Sequence, residues 1–276
     1  MSKFPNLISR VLVSVIAIPL ILVLVYLGGV FFLALVIGIV VLTLFEFYKL
    51  VERKGDNPSY FWGYIYVIGI LLLFYFKRLD FYPLISFFVV AFASIFELTK
   101  EKNNSIRNLS STIAGALIIG LFYSTLIGIR EKFGEYGSLE YLKGGYVIIT
   151  LLAAIWICDS AAYFWGTAFG KHRLFERISP KKSWEGAIFG FIFAMFTFII
   201  GKLILLDFLN WYDIIYMGLV VGIIGQLGDL VESMFKRDAD VKDSSNILPG
   251  HGGILDRFDS LLFVSPFIYF YLNYAY

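Results

Sequence analysis

The chain has a single cysteine, Cys158, and two histidines, His172 and His251, among 276 residues. One cysteine excludes an intrachain disulfide, so cysteine usage says nothing about redox compartment, and the set is too small for a zinc centre. Charge is also scarce, at 16% of residues, and a net charge of +2 is too small to draw nucleic acid, so no nucleic-acid partner is expected. There is no internal repeat and no low-complexity tract. What the chain has in excess is apolar surface: 59% of residues are hydrophobic and 19% aromatic, against roughly 45–50% apolar usage in soluble domains. Such a composition belongs in a lipid bilayer.

A hydrocarbon core about 30 Å thick needs about 20 apolar residues per helix. Nine runs fit, near 7–27, 30–50, 60–76, 81–98, 109–129, 146–169, 186–206, 212–235 and 260–276. None shows the ten-residue alternation of a membrane barrel, and in lipid only helices or closed barrels satisfy the backbone. The expectation is an all-α, polytopic integral membrane protein of about nine transmembrane helices. The first run resembles a signal peptide in its short basic start. It is long, lacks a small-x-small cleavage site and leads into eight more spans, so it reads as a retained helix. With the N-terminus cytoplasmic, only Lys77, Arg78, Arg130, Lys132, Lys143 and Lys202 fall in or beside outer loops, leaving 17 of the 23 Lys and Arg inside.

The runs group into three segments: a scaffold of three helices over 1–78, a middle region of two helices over 79–145, and a chemically dense region of four helices over 146–276. The boundary REKFGEYGSLEYLKGG, with its glycines and mixed charge, interrupts the pattern before a different kind of helix begins. In the first half, Glu46 and Glu97 sit within a turn or two of cytoplasmic helix ends, where a carboxylate reaches water by snorkelling, so both read as structural.

The dense region places ionisable groups where lipid forbids them. Gln226, Asp229, Ser233 and Lys236 recur at spacings of three and four and so share one helix face. Asp229 lies about 9 Å inside its span at 1.5 Å per residue. A carboxylate there faces a cavity, a partner or an ion. Asp159 is a second such residue, followed by the small-residue stripe Ala162, Gly166 and Gly170. Gly186 with Gly190 and Gly218 with Gly222 repeat the device, which lets helix backbones approach closely. These helices are expected to pack tightly and to carry Asp159 and Asp229 into a shared interior.

Two polar stretches lie between the late spans. GKHRLFERISPKKSWEGA ends at the helix-starting residues Ser183 and Glu185, and its Ser179, Lys181 and Lys182 stand beside that helix N-terminus, an arrangement that suits phosphate. GTAFGKH is not a nucleotide-binding P-loop, because three residues separate its glycines and His172 stands where Ser or Thr should hold magnesium. The second stretch, KRDADVKDSSNILPGHGGILDRFDS, mixes Asp243, Asp256 and Asp259 with Lys236, Arg237, Lys242 and Arg257. Gly252 and Gly253 flank His251 and let the backbone come close to a ligand. Carboxylates in this number, beside phosphate-binding groups, suit a hard cation such as Mg²⁺.

From Ser233 to Asp259, SMFKRDADVKDSSNILPGHGGILDRFD resembles the signature of phosphatidate cytidylyltransferases, also called CDP-diacylglycerol synthases, at every spaced position. DSAAYFWG and SPKKSWEG are similar to other blocks of that family, so the resemblance runs from about Asp159 to the end; the first half resembles the family only in being a stack of apolar helices. It implies that CTP and phosphatidic acid give CDP-diacylglycerol and pyrophosphate at the cytoplasmic face of the inner membrane. It also implies Mg²⁺, K⁺ as a second cation in some members, and a homodimer. On that reading Asp229 and Asp256 are the metal ligands, with Asp243 and Asp259 as further ligands or orienters and Asp159 beside the second cation. Lys181, Lys182, Lys236, Arg237, Lys242 and Arg257 are the phosphate partners, and His251 donates to a phosphate or to the leaving pyrophosphate. Ser179, Ser233, Gly252 and Gly253 complete the substrate-binding set. A CTP-dependent lipid-alcohol kinase would need the same residue types. An ion-coupled transporter would more often show repeats and broken helices, whereas polarity here gathers at one membrane face.

Overall fold

The computed structural model describes residues 4–100, 104–134, 138–247, 250 and 252–276, with side chains from residue 14 onward except at 138 and 139. Lys3, Lys102, Pro249 and His251 therefore lie outside the described residues. The chain is a bundle of apolar rods. They are α1 (Phe4–Leu27), α2 (Gly29–Arg53), α3 (Tyr60–Tyr75), α4 (Tyr82–Glu97), α5 (Ser105–Gly115) continuing into α6 (Phe122–Glu131), and α7 (Ser138–Phe169). A hairpin of β1 (Arg173–Phe175) and β2 (Ser179–Ser183) follows, then α8 (Trp184–Ile204), α9 (Trp211–Leu219) continuing into α10 (Gln226–Asp238), and α11 (Leu255–Ala275). These rods correspond to the nine expected spans.

Among the described residues, six rods are long and apolar enough to cross a membrane, including Gly29–Arg53, Glu140–Phe169 and Trp211–Asp238. Tyr60–Tyr75 is shorter, about 24 Å of helix at 1.5 Å per residue. Large apolar side chains such as Val30, Phe31, Phe61, Phe87 and Leu203 stand exposed on the flanks, as a lipid-facing surface requires. Inside, Val36, Val40, Leu44, Ile70, Leu71, Leu151, Phe198, Met217 and Ile268 belong to one continuous buried cluster that draws on every part of the chain.

One element departs from the all-helical expectation. The loop after α7 is a two-stranded antiparallel hairpin pairing Arg173 with Ser183 and Phe175 with Ser179. Glu185 closes its base by accepting from the Lys171 and His172 amides at 3.1 and 3.3 Å, and His172 Nδ1 lies 2.6 Å away. β2 then runs straight into α8, whose N-cap Ser183 accepts from the Gly186 amide. The helix start expected at Ser183 and Glu185 is therefore where the structure has it.

The small-residue stripes do what their spacing implies. Gly166 and Gly186 face each other between α7 and α8, and a Cβ on Gly186 would sit 2.6 Å from the Ala162 carbonyl and 3.0 Å from Gly166 Cα. Gly186→Val is accordingly expected to push α7 and α8 apart and destabilise the protein by about 1–3 kcal/mol. A thermal melt in detergent checks this, and an unchanged Tm would mean that the close approach is not needed.

Between α9 and α10 the rod widens into a π-helical turn, Val220–Gly225, which leaves backbone carbonyls without their usual partners. Two side chains satisfy them: Gln226 Nε2 donates to the Gly222 carbonyl at 2.6 Å and Ser260 Oγ to that of Gly225 at 3.0 Å. Gln226 also reaches the Ala187 carbonyl on α8. The widened turn thus locks α8, α10 and α11 together one turn before Asp229.

Candidate functional site

Four elements meet at one end of the bundle: α10, the first turn of α11, β2 and the end of α2. On α10, Asp229, Glu232, Ser233 and Lys236 fall on one face. Oxygens of Asp229, Glu232 and Asp259 lie within 4.8 Å of one another. Three carboxylates at such spacing repel each other unless positive charge sits among them. Two lysines supply part of it. Lys182 Nζ on β2 is 2.5 Å from Asp229 Oδ2, and Lys236 Nζ is 2.6 Å from both Glu232 Oε2 and Asp256 Oδ1.

The two lysines differ in surroundings. The Lys182–Asp229 pair is about one-third exposed, at 28% and 31%. The Lys236 pairs are buried. Both oxygens of Glu232 are sealed from solvent; Oε2 meets the Lys236 ammonium at 2.6 Å, whereas Oε1 has no hydrogen-bond donor among the described residues. A buried carboxylate left in that state fits a further cation, and oxygen-only ligands fit a hard one.

Asp256 is held differently from Asp229. Besides Lys236, it accepts from the Ser244 amide at 3.0 Å, Ser244 Oγ at 2.9 Å and the Gly253 amide at 2.7 Å. The structure therefore joins Asp256 to the carboxylate cluster through Lys236, and the carboxylates gathered around Asp229 are Glu232 and Asp259. Glu232 is the member of this cluster missed in the sequence. Its signal was there: it stands three residues after Asp229 and four before Lys236, a second acid on the polar face of a membrane helix. Asp259 is buried and accepts from the Ser260 amide at 2.6 Å.

The other expected residues sort by position. Ser233 Oγ lies 3.4 Å from Asp229, a weak contact. Asp159 is exposed on the flank of α7, within electrostatic range of Asp229, Lys182 and Arg257. Lys181, Lys242, Asp243 and Arg257 are exposed at the rim, and Ser179 opens β2. Arg237, expected to meet phosphate, instead donates to the Ile178 and Val241 carbonyls at 3.1 and 2.8 Å and ties the hairpin to the loop after α10. Gly252 has φ +84°, and a Cβ on it would meet Asp256 Oδ2 at 2.9 Å. A Cβ on Gly253 would meet both oxygens of Glu46 at 2.6 Å. The close approach these glycines permit is thus to the protein's own carboxylates.

Glu46 and Glu97 also depart from expectation. Neither reaches water; Glu46 is fully buried and Glu97 nearly so. Glu97 accepts from Asn108 Nδ2 at 2.6 Å and pairs with Lys100 at 2.9 Å, tying α4 to α5. Glu46 accepts from Ser245 Oγ and from the Ile254 and Leu255 amides, in the loop and helix start that carry Asp256, and meets Ser244 Oγ at 3.0 Å. The snorkelling argument fails because partners on neighbouring elements come to the carboxylate in place of solvent.

The sequence model of the cytidylyltransferase family matches residues 8–275 of this chain. The chain is similar to a phosphatidate cytidylyltransferase of Bacillus subtilis (strain 168), with 35% identity over 275 residues, 96% of this chain and 97% of the relative. It is 32% identical to a Synechocystis protein of the same name over 96% of both chains. A Haemophilus influenzae relative, also so named, is 43% identical over 54% of this chain and 55% of its own length. The likeness expected only from about Asp159 onward therefore covers nearly the whole chain, the first helices included.

Proposed function

The chain belongs to the cytidylyltransferase family, and on that premise we propose that it is a membrane-embedded phosphatidate cytidylyltransferase, converting CTP and phosphatidic acid to CDP-diacylglycerol and pyrophosphate. The observation that carries this reading is the gathering of Asp229, Glu232 and Asp259 with Lys182 and Lys236 at one end of a lipid-facing bundle. A nucleotide from water and a phosphate on a lipid can meet only at such an end.

In the reaction an oxygen of the lipid phosphate attacks the α-phosphorus of CTP in line. A P–O bond forms there, the bond to the β-phosphate oxygen breaks, and pyrophosphate leaves with that electron pair. Little covalent work is asked of the protein, since transfer of this kind rests on positioning and charge. Asp229, Glu232 and Asp259 would hold a divalent cation, with Asp256 brought to the same place through Lys236. Bound magnesium would supply positive charge to the phosphates and to the leaving group. Lys182, with Lys181 behind it on β2, stands at the N-terminus of α8 to receive a phosphate. Arg257 and Lys242 extend that positive rim. Asp159, within electrostatic range of Asp229, Lys182 and Arg257, would serve the second cation or the network around it.

The site end also carries Lys49, Arg53, Lys54 and Arg107, whereas Arg130 and Lys132 lie at the other. This bias supports a cytoplasmic site with the N-terminus inside. A bacterial inner membrane is the proposed location, and the segment 146–276 the proposed catalytic part. The K⁺ ion and the homodimer implied by the resemblance are included on the strength of the family alone.

Purified protein given CTP labelled at the α-phosphate, with Mg²⁺ and phosphatidic acid, is expected to move the label into a chloroform-soluble nucleotide lipid. Label from the γ-phosphate is expected in pyrophosphate. Lipid labelled only from the γ-position would reveal a lipid kinase instead and overturn the proposal.

A further inference from the structure

Glu46 belongs to α2, distant in the chain from the other carboxylates of the site, yet it is fully buried beneath the start of α11. Ile254, at the N-cap of α11, has no side chain that can cap the helix. Glu46 does so from across the bundle, accepting from the Ile254 amide at 2.9 Å and the Leu255 amide at 2.7 Å. A carboxylate there also meets the positive end of the helix dipole. The same carboxylate accepts from Ser245 Oγ at 2.5 Å and contacts Ser244 Oγ at 3.0 Å.

Ser244 Oγ is 2.9 Å from Asp256 as well. A hydroxyl has one proton and donates to one of these carboxylates at a time, so Ser244 is a hinge between them. One turn further along, the Tyr123 hydroxyl on α6 donates to the Phe258 carbonyl at 2.9 Å. The first turn of α11 is thereby fixed at both ends, and with it Asp256, Arg257 and Asp259. Gly253 leaves room for the clamp, since any side chain there would collide with Glu46.

From this we infer that Glu46 is a positioning residue, which sets the height and rotation of the first turn of α11 and so the placement of Asp256 and Asp259. Its effect on turnover rests on the proposed cytidylyltransferase reaction; the clamp itself does not. Groups that orient metal-binding or catalytic side chains from behind typically cost 10–100-fold on mutation.

The test is Glu46→Gln in the full-length protein in detergent or proteoliposomes. The amide keeps one acceptor oxygen and turns an NH₂ toward donors, so about half of the clamp is lost with little change in shape. Hydrogen exchange, read without metal or substrate, is expected to be at least about tenfold faster at Ile254 and Leu255 and unchanged in α9. With Mg²⁺ and CTP, kcat is expected to fall about 10–100-fold and half-activation to need more Mg²⁺, with KM for CTP near the wild-type value. Unchanged exchange at those amides, or a loss of activity that only tracks lost folded protein, overturns the inference. Should Glu46→Gln fail to fold, Ser244→Ala decides, because it keeps the Ile254 and Leu255 bonds to Glu46 and the Ser244 amide bond to Asp256, and removes only the hydroxyl that stands between the two carboxylates. It is expected to shift the Mg²⁺ requirement, and wild-type kcat and Mg²⁺ response in it refute the clamp. Wild-type protein that makes no CDP-lipid would remove the reaction while leaving the exchange result to stand alone.

Discussion

Asp229→Asn is expected to lower CDP-diacylglycerol formation by roughly 10²–10³-fold, the scale of losing one preorganised charged group at a transferring phosphate, while Tm equals or exceeds that of the wild type. The two halves of this expectation share a cause. Asp229 is about one-third exposed, and its protein partners are Lys182 at 2.5 Å and a weak contact from Ser233. Its near neighbours are two other carboxylates. Neutralising it removes repulsion that folding must overcome, so stability is kept or gained, as at many sites where function and stability conflict. The same change removes one of the oxygens that would hold a cation and releases Lys182. The check is a thermal melt alongside an assay of labelled CDP-lipid over a range of Mg²⁺ concentrations. Wild-type turnover, or a protein that no longer folds, would remove Asp229 from the role assigned to it.

The architecture was readable because lipid imposes one rule everywhere: an apolar run near the length of the bilayer core becomes a helix. The nine runs and the α7–α8 contact at Gly166 and Gly186 follow from that rule and from small-residue spacing. The hairpin of β1 and β2 did not, because ERISPKKS has no apolar alternation; its strands are held by Glu185 gripping the Lys171 and His172 amides. Nor does length alone announce the π-helical turn before Asp229, which depends on Gln226 and Ser260 reaching freed carbonyls.

The candidate site was legible where polarity stood out against lipid, as at Asp229, Lys236 and Asp259. It was hidden where the partner was distant in the chain. Glu46 reads as an ordinary rim carboxylate until Ile254 and Leu255, 208 and 209 residues later, come to it. Spacing likewise placed Asp256 among the acids without revealing that Ser244 and Gly253 hold it. Periodicity tells which residues share a helix face, and it is silent on which faces meet.

The sharpest contrast lies between the two lysines. Lys236→Met is expected to destabilise the protein by about 3–5 kcal/mol, because it strands two buried carboxylates, Glu232 and Asp256, without their shared cation. Lys182→Met, at the partly exposed pair with Asp229, should cost under about 1 kcal/mol, yet slow turnover about a hundredfold if Lys182 receives a phosphate as the α8 N-terminus suggests. Adding Glu232→Gln to Lys236→Met removes one stranded charge, so more than half of the lost Tm should return while activity stays low. Melts of the three variants and the wild type in one detergent, beside their CDP-lipid rates, give the comparison. A Lys236→Met protein as stable as the wild type would show that Glu232 and Asp256 do not depend on that lysine. A Lys182→Met protein of full activity would show that phosphate is received elsewhere on the rim.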